Sequence, residues 1–307
     1  EGIMSYEVVE YISNALIAVI GSACGFFRFA LSDEQRIDNG VDPLVHIGPL
    51  RVVPSVEEWR VGKLGNVAPA DWYNGSFAWS RIAAAIAEAQ RKNVCEKMGV
   101  ETRGMNEGFR EGCFIVNDNL IQDISRLNAA LNGYPLRLGY ELAGQVKVVV
   151  PLSGCEIPLT GSKIAESDFL VAVNVKDDDG RELMLSEVGV GISQVIPVIY
   201  AGLTQPFSII EQPELHLHPK LQLELASFFI AQVGEGRQFI LETHSENVFL
   251  RVLRAIRETS ASDIRPRQIS LRANQVSVLY FEKTNDSFTE VHRLRISDDG
   301  EFIDRRS

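Results

Sequence analysis

Apolar positions along this chain recur with two different periods, and the change from one to the other falls near residue 134. Upstream of it, the segment FAWSRIAAAIAEAQRKNVCEK at about 78–98 spaces its apolar and small residues at helical intervals. VNDNLIQDISRLNAALN at 116–132 repeats that signal, with Asn117 or Asp118 as the cap and Gly133 as the stop, so the middle of the chain reads as α. Downstream, YPLRLGYELAG, QVKVVVPL and DFLVAVNVKDDDGRELML alternate or run apolar over short spans, and DDDG at 177–180 reads as a hairpin turn.

From residue 187 the pattern alternates again. A Gly-rich loop and helix at 187–203 precede the strand FSII, a helix from Pro219 to about Val233, the strand QFILET and a helix from Glu246 to Arg257. Alternation of this kind predicts a mostly parallel sheet flanked by helices, an α/β fold. The closing segment VSVLYFEKTNDSFTEVHRLRIS reads as a β-hairpin with TND at its tip. Near the start, residues 13–31 are mostly apolar but interrupted by Arg28, Gly21 and Gly25, which predicts a buried amphipathic helix and not a membrane span. After the turn-rich DEQRIDNGVDP, the run LVHIGPLRVVP reads as a strand broken at Gly48-Pro49 and closed by Pro54, with Arg51 just past the break.

Composition narrows the function classes. The chain has 307 residues, 45% of them hydrophobic, enough to bury a substantial core. A formal net charge of −11 and a pI near 5.1 remove charge as an argument for nucleic-acid binding. Cys24, Cys95, Cys113 and Cys155 are scattered without zinc spacing, as suits reduced thiols in a cytoplasmic protein. The acidic SYEVVEY is unlike the positive start of a signal peptide.

Three short stretches carry chemistry. FSIIEQPELHLHP ends an apolar strand in Glu211, followed by Gln212, Pro213, Glu214, His216 and His218. In α/β nucleotide hydrolases such a strand end delivers carboxylates to Mg²⁺ and the attacking water. The same residues fit an ordinary strand end, or a metal site built from Glu214, His216 and His218. LETHS ends a second strand in His244, and GVGISQ puts Gly189, Gly191, Ser193 and Gln194 at the opening of a helix, where backbone donors can meet phosphate oxygens. Each of the last two is equally a structural strand end or a tight turn when taken alone.

Taken in order and spacing, GVGISQ, EQPELHLHP and ETHS resemble the signature, Walker B with D-loop, and switch-histidine motifs in the C-terminal lobe of the ABC-type ATPase head. That group includes the SMC, RecF and OLD families, and the wording is most similar to stand-alone ATPases of bacterial anti-phage and toxin-antitoxin loci. IGPLR at 47–51 is similar to a segment of the same group. The resemblance covers residues 44–60 and 168–307, and the middle helices share its general character only. It implies ATP and Mg²⁺ as cofactors, Glu211 as the Mg²⁺-site acid acting through water, and Gln212 at the catalytic-glutamate position. It further implies Glu214 as an alternative carboxylate, His244 as the γ-phosphate sensor, and His216 and His218 as D-loop subunit contacts. Gly189, Gly191, Ser193 and Gln194 would meet the nucleotide of a second subunit in a head-to-tail dimer.

Two departures qualify the expected ATPase activity. Gln212 has no titratable carboxylate, so it cannot be a general base, and hydrolysis is expected to be reduced or absent unless Glu214 substitutes. No GxxxxGK[ST] occurs, the nearest look-alike being Thr160-Gly161-Ser162-Lys163. In the family that loop lies upstream of these motifs, so the expectation is a protein continuing N-terminally of Glu1. Residues 1–60 would then complete the N-terminal ATPase lobe, 61–133 form a helical insert, and 134–307 form the C-terminal lobe. The expected output is control of an effector such as a nuclease or toxin in phage defence. The alternatives are a non-hydrolysing scaffold and a RecF-type DNA-repair ATPase; Arg251, Arg254, Arg257, Arg265, Arg267 and Arg272 have the charge to touch nucleic-acid phosphates, and a solvated helix face is the favoured reading of them.

Overall fold

A computed structural model describes residues 16–20, 44–52, 72–97, 99, 101–104, 114–116, 118–148, 169–261, 269–283 and 289–303. The 33–43 turn, Pro54, Asn117, the 160–163 look-alike, Arg265, Arg267 and the TND tip lie outside them. Packing divides the chain into two compact units: Glu1–Arg51, Tyr134–Leu136 and Gln194–Ser307 form one, and Val52–Gly133 with Arg137–Ser193 form the other.

The described strands of the first unit are β1 (Leu16–Ile20), β2 (Val45–Ile47), β8 (Phe207–Glu211), β9 (Gln238–Thr243), β10 (Val276–Lys283) and β11 (Thr289–Leu294). Among the described residues they form a six-stranded mixed sheet in the order β11-β10-β1-β9-β8-β2. The pairs β2–β8 and β8–β9 are parallel, as the strand–helix alternation requires. From β9 outward, β1, β10 and β11 pair antiparallel. Leu16–Ile20 is therefore a strand between β9 and β10, which corrects the helix expected over 13–31 for these residues. A short apolar run fits a buried helix or a central strand equally well, and only long-range pairing decides between them.

Helices α4 (Pro219–Gly234) and α5 (Glu246–Ala261) pack together in this unit. The core gathers Phe228 and Phe229 of α4 with Phe239 of β9, and the Phe229 and Phe239 rings meet edge to face at 5.0 Å. Such a pair adds about 0.5–1.5 kcal/mol to its area burial. Gly202 makes room for this cluster, since a Cβ there would lie 2.8 Å from the Phe228 ring. Helix α4 ends at Gly234, and Gly236, with φ of 89°, turns the chain into β9.

The second unit holds α1 (Ser76–Lys97), β3 (Thr102–Gly104), β4 (Phe114–Val116), α2 (Asp118–Asn132), β5 (Tyr140–Val148), β6 (Phe169–Asp177) and β7 (Glu182–Met184). Strands β5, β6 and β7 form an antiparallel sheet, and β3 and β4 a two-stranded parallel one. Trp79, Ile82, Ala83 and Ile86 of α1 and Leu120, Ile124, Leu127 and Leu131 of α2 are buried, each set at helical spacing. Asn128 of α2 bonds both backbone groups of Leu142, donating to its carbonyl at 3.1 Å and accepting from its N–H at 2.9 Å. The two helices thus group with the 140–184 sheet in one unit, whereas the sequence reading divides the chain into a helical insert over 61–133 and a C-terminal lobe over 134–307. Helix α3 (Val190–Thr204) begins in this unit's stretch of chain and continues in that of the first.

Candidate functional site

Parallel pairing brings two strand ends together. Glu211 and Glu242 are register partners on β8 and β9, so their side chains leave the sheet on the same face. Both carboxylates are partly exposed. His244, two residues past Glu242, is exposed, and its Nε2 lies 4.0 Å from Glu242 Oε1. From β2, the His46 Nε2 sits 2.7 Å from Glu211 Oε1. The sequence reading gave neither His46 nor Glu242 a role in the site. The signal for Glu242 was present, since it and His244 are two apart at a strand end, but the register that sets it beside Glu211 was not.

The turn after β8 is held by backbone bonds. Gln212 N–H donates to Glu242 O at 2.8 Å, and Leu215 N–H donates to Gln212 O at 3.1 Å. Gln212 and His216 have φ of 42° and 63°, a left-handed conformation that costs a non-glycine residue about 1–2 kcal/mol. Arg51 is buried, and its Nη2 donates to Glu211 O at 2.7 Å and to Gln212 O at 3.3 Å. Burial pushes its guanidinium down to about 10, against the opposing pull of the Glu214 and Glu211 carboxylates. At neutral pH it remains a cation.

Glu214 is buried, and its Oε1 accepts the His244 backbone N–H at 2.9 Å. Its Oε2 has no hydrogen-bond partner among the described residues. His218 is the N-cap of α4: its Nδ1 accepts the Lys220 N–H at 3.3 Å, ahead of Pro219 in the first turn. His216 is exposed. These three residues do not converge, and among the described residues no group of three His, Cys, Asp or Glu side chains could hold a metal ion. That removes the metal site read from Glu214, His216 and His218. The Glu211 and Glu242 oxygens remain a suitable hard donor set for Mg²⁺, which is commonly held by one or two carboxylates with phosphate oxygens and water completing its shell.

The helix opening behaves differently from expectation. Ser193 and Gln194 are buried, and Ser193 Oγ donates to Val190 O within its own helix at 3.1 Å. Gly191 is also buried, whereas Gly189, Val190 and Ser186 are exposed. Ser193 and Gln194 lie on the inner side of an almost wholly apolar helix, so the surface open to a second molecule is the 186–190 turn. Ser186, its exposed hydroxyl, was not singled out from the sequence.

Beyond the site, Ser245 Oγ accepts the Val248 N–H at 3.2 Å and donates to Gln222 at 2.7 Å, tying the start of α5 to α4. The α5 arginines are engaged within the fold. Arg251 donates to Ser227 at 2.7 Å, Arg254 to Glu258 at 2.8 Å, and Arg257 to Asp299 O at 3.0 Å. They make an ordinary helix face rather than a free basic stripe. No helix of the described residues is long and apolar enough to cross a membrane.

Residues 111–249 match the AAA ATPase domain family, a span that takes in α2 and the β5–β7 sheet and leaves out 44–60. No curated protein sequence matches the chain. Among solved structures, an SMC ATPase from work on ATP-driven dimerisation and DNA-stimulated activation shares 15% identity over 57% of this chain and 86% of its own, with a TM-score of 0.34. The Smc head domain of Pyrococcus furiosus with an extended coiled coil, bound to the C-terminal domain of ScpA, shares 12% identity over 58% of this chain and 36% of its own, TM-score 0.36. The Smc head of Pyrococcus yayanosii with a coiled coil and joint shares 11% over 60% and 28%, TM-score 0.34. The match to the AAA ATPase domain family runs through both strand ends that carry Glu211 and Glu242, so residues 111–249 of this chain are similar to an AAA ATPase domain.

Proposed function

We propose that the acidic ends of β8 and β9 form the nucleotide site of an ATP-binding, slowly ATP-hydrolysing head that pairs head to tail with a second copy. The observation that carries this reading is the pair Glu211 and Glu242 on neighbouring parallel strands, with His244 exposed just beyond. Glu211 would hold Mg²⁺ through water, and the ion would supply charge neutralisation on the phosphates. His244 donates a hydrogen bond to the γ-phosphate. Gln212 orients the attacking water and takes no proton from it, so turnover is slow and bound ATP is the main signal. The exposed His216 faces the second subunit. The output is control of a cytoplasmic effector, such as a nuclease or toxin, in anti-phage defence.

The test is nucleotide binding and turnover by the full-length protein beside Glu211→Gln, His244→Ala and Gln212→Glu. The parent should bind Mg·ATP and turn over slowly. His244→Ala and Glu211→Gln should each lower kcat at least tenfold, and Gln212→Glu should raise it. A parent with neither binding nor turnover refutes the reading. Gln212 also favours a second reading, a non-hydrolysing scaffold, which predicts binding without turnover in the parent and in Gln212→Glu alike.

A further inference from the structure

Gln222, in the first turn of α4, has both polar atoms of its side chain bonded within the protein. Its Nε2 donates to Leu217 O at 3.0 Å, and its Oε1 accepts from Ser245 Oγ at 2.7 Å and from Asn247 Nδ2 at 3.0 Å. A backbone carbonyl can only accept, so Leu217 O sets which way the amide faces. The amide oxygen then takes the single Ser245 hydroxyl proton, which leaves the hydroxyl oxygen to accept the Val248 N–H at 3.2 Å and cap α5. The residues on either side of His244, Thr243 and Ser245, are buried, and Ser245 N–H donates to Thr243 Oγ1 at 3.0 Å. His244 N–H donates to Glu214 Oε1 at 2.9 Å. The exposed His244 imidazole thus projects from a backbone held on both sides. In the turn after β8, Leu217 is buried directly after the exposed His216, and its N–H donates to Glu214 O at 3.0 Å.

The geometry points to Gln222 as a positioning residue that fixes the backbone around His244 to the turn following β8. Ser245 would cap α5 without it; what Gln222 adds is the bond to Leu217 O, in the same turn as Glu214. The Glu214 bond to His244 N–H and the Gln222 bridge therefore join the same two stretches, 214–217 and 243–248, at separate points. One hydrogen bond leaves such a junction free to pivot, whereas a second bond some residues away fixes its direction as well. Gln222 acts through His244 and not on a ligand, since its own amide is occupied by Leu217, Ser245 and Asn247. It also separates the roles of neighbouring residues: Glu214 and Gln222 hold the backbone, and the His244 imidazole is left as the group that meets a second molecule. That this molecule is a nucleotide rests on the ATPase function proposed above, and the bridge itself does not.

The experiment uses the full-length protein and Gln222→Met, which keeps the length of the side chain and removes its hydrogen bonds, in the parent and in a His244→Ala background. In the parent, Gln222→Met should lower kcat for ATP about fivefold or more, and in His244→Ala by less than about twofold, because a residue acting through His244 has nothing left to place once the imidazole is gone. Equal losses in the two backgrounds would show a general structural role and overturn the proposal. Without nucleotide, amide hydrogen exchange at His244 should rise about fivefold or more in Gln222→Met, while the Lys220 amide in the first turn of α4 keeps its protection. Unchanged exchange at His244, or an equal rise at both amides, would also overturn it. Should Gln222→Met fail to fold, Gln222→Glu carries both readouts, since it keeps an acceptor for Ser245 and Asn247 and loses only the donor to Leu217 O; failure of both to fold counts against a positioning role. A parent that turns over no ATP refutes the hydrolysis proposed above, and exchange in the nucleotide-free protein still decides the role of Gln222.

Discussion

His218 offers a prediction that separates a local structural role from an intersubunit one. Its Nδ1 accepts the Lys220 N–H at 3.3 Å at the start of α4. Pro219 has no N–H, and Gln222 N–H already bonds His218 O at 3.2 Å, so the cap satisfies one of very few donors left open in this first turn. Lys220 and His218 are both exposed, and water can replace the lost acceptor. The cost of His218→Ala therefore belongs at the low end for caps, about 0.5 kcal/mol. That corresponds to a fall of roughly 1–2 °C in Tm for a domain of this size. Nδ1 of histidine and Oδ1 of asparagine or aspartate lie the same number of bonds from the backbone, so His218→Asn should preserve the cap. His218→Asp should preserve it and add about 0.3–1 kcal/mol from a negative charge at the helix N-terminus. Thermal unfolding with exchange at the Lys220 amide measures both effects. A stability order of Asp above or equal to Asn, with Ala lowest, is the expected result. Equal stability of all three, with exchange at Lys220 unchanged in Ala, would refute the capping argument. If His218 is instead needed between subunits, all three variants weaken ATP-dependent dimerisation to the same degree while the order in stability is absent.

Two further predictions address the scaffold. Gly300 has φ of 67°, and a Cβ there would lie 2.2 Å from Leu253 O in α5, so Gly300→Ala should destabilise by about 2 kcal/mol or more, visible as a lower denaturant midpoint at unchanged slope. In the β6–β7 hairpin, Asp177 accepts the backbone N–H groups of Arg181 at 2.8 Å and Asp179 at 3.1 Å, and these bonds, the Arg181 backbone bond foremost, hold its carboxyl below the usual aspartate value. A depressed carboxylate contributes stability above its unfolded value near 3.8, and that contribution is lost as the pH falls through its folded value. Amide exchange at Arg181 should therefore lose protection only below about pH 4, and the loss should be absent in Asp177→Asn; the same acid response in Asp177→Asn would refute the assignment.

Much of the site was legible because its signals are local. The apolar run FSII ending in acid, the Pro219 helix start, the ETHS strand end and the DDDG turn all depend on residues within a few positions of one another, and the structure forms each where periodicity places it. The helix opening was legible as an opening and misleading as a surface. GVGISQ has the right residue types, yet Ser193 and Gln194 face inward because they share a helix with the buried Val195–Tyr200 run.

The sequence by itself determined the α/β alternation from residue 187, the hairpins, and the acidic and histidine-bearing strand ends, because those patterns are set by backbone period and turn chemistry over short spans. Only the tertiary structure decided that Leu16–Ile20 is a strand, that Glu242 stands beside Glu211, and that Arg51 lies buried under the turn it serves. Those outcomes depend on strand register and on partners as far apart as Arg51 and Glu211. A short apolar run or a lone arginine carries no information about such distant neighbours until the sheet has closed around it.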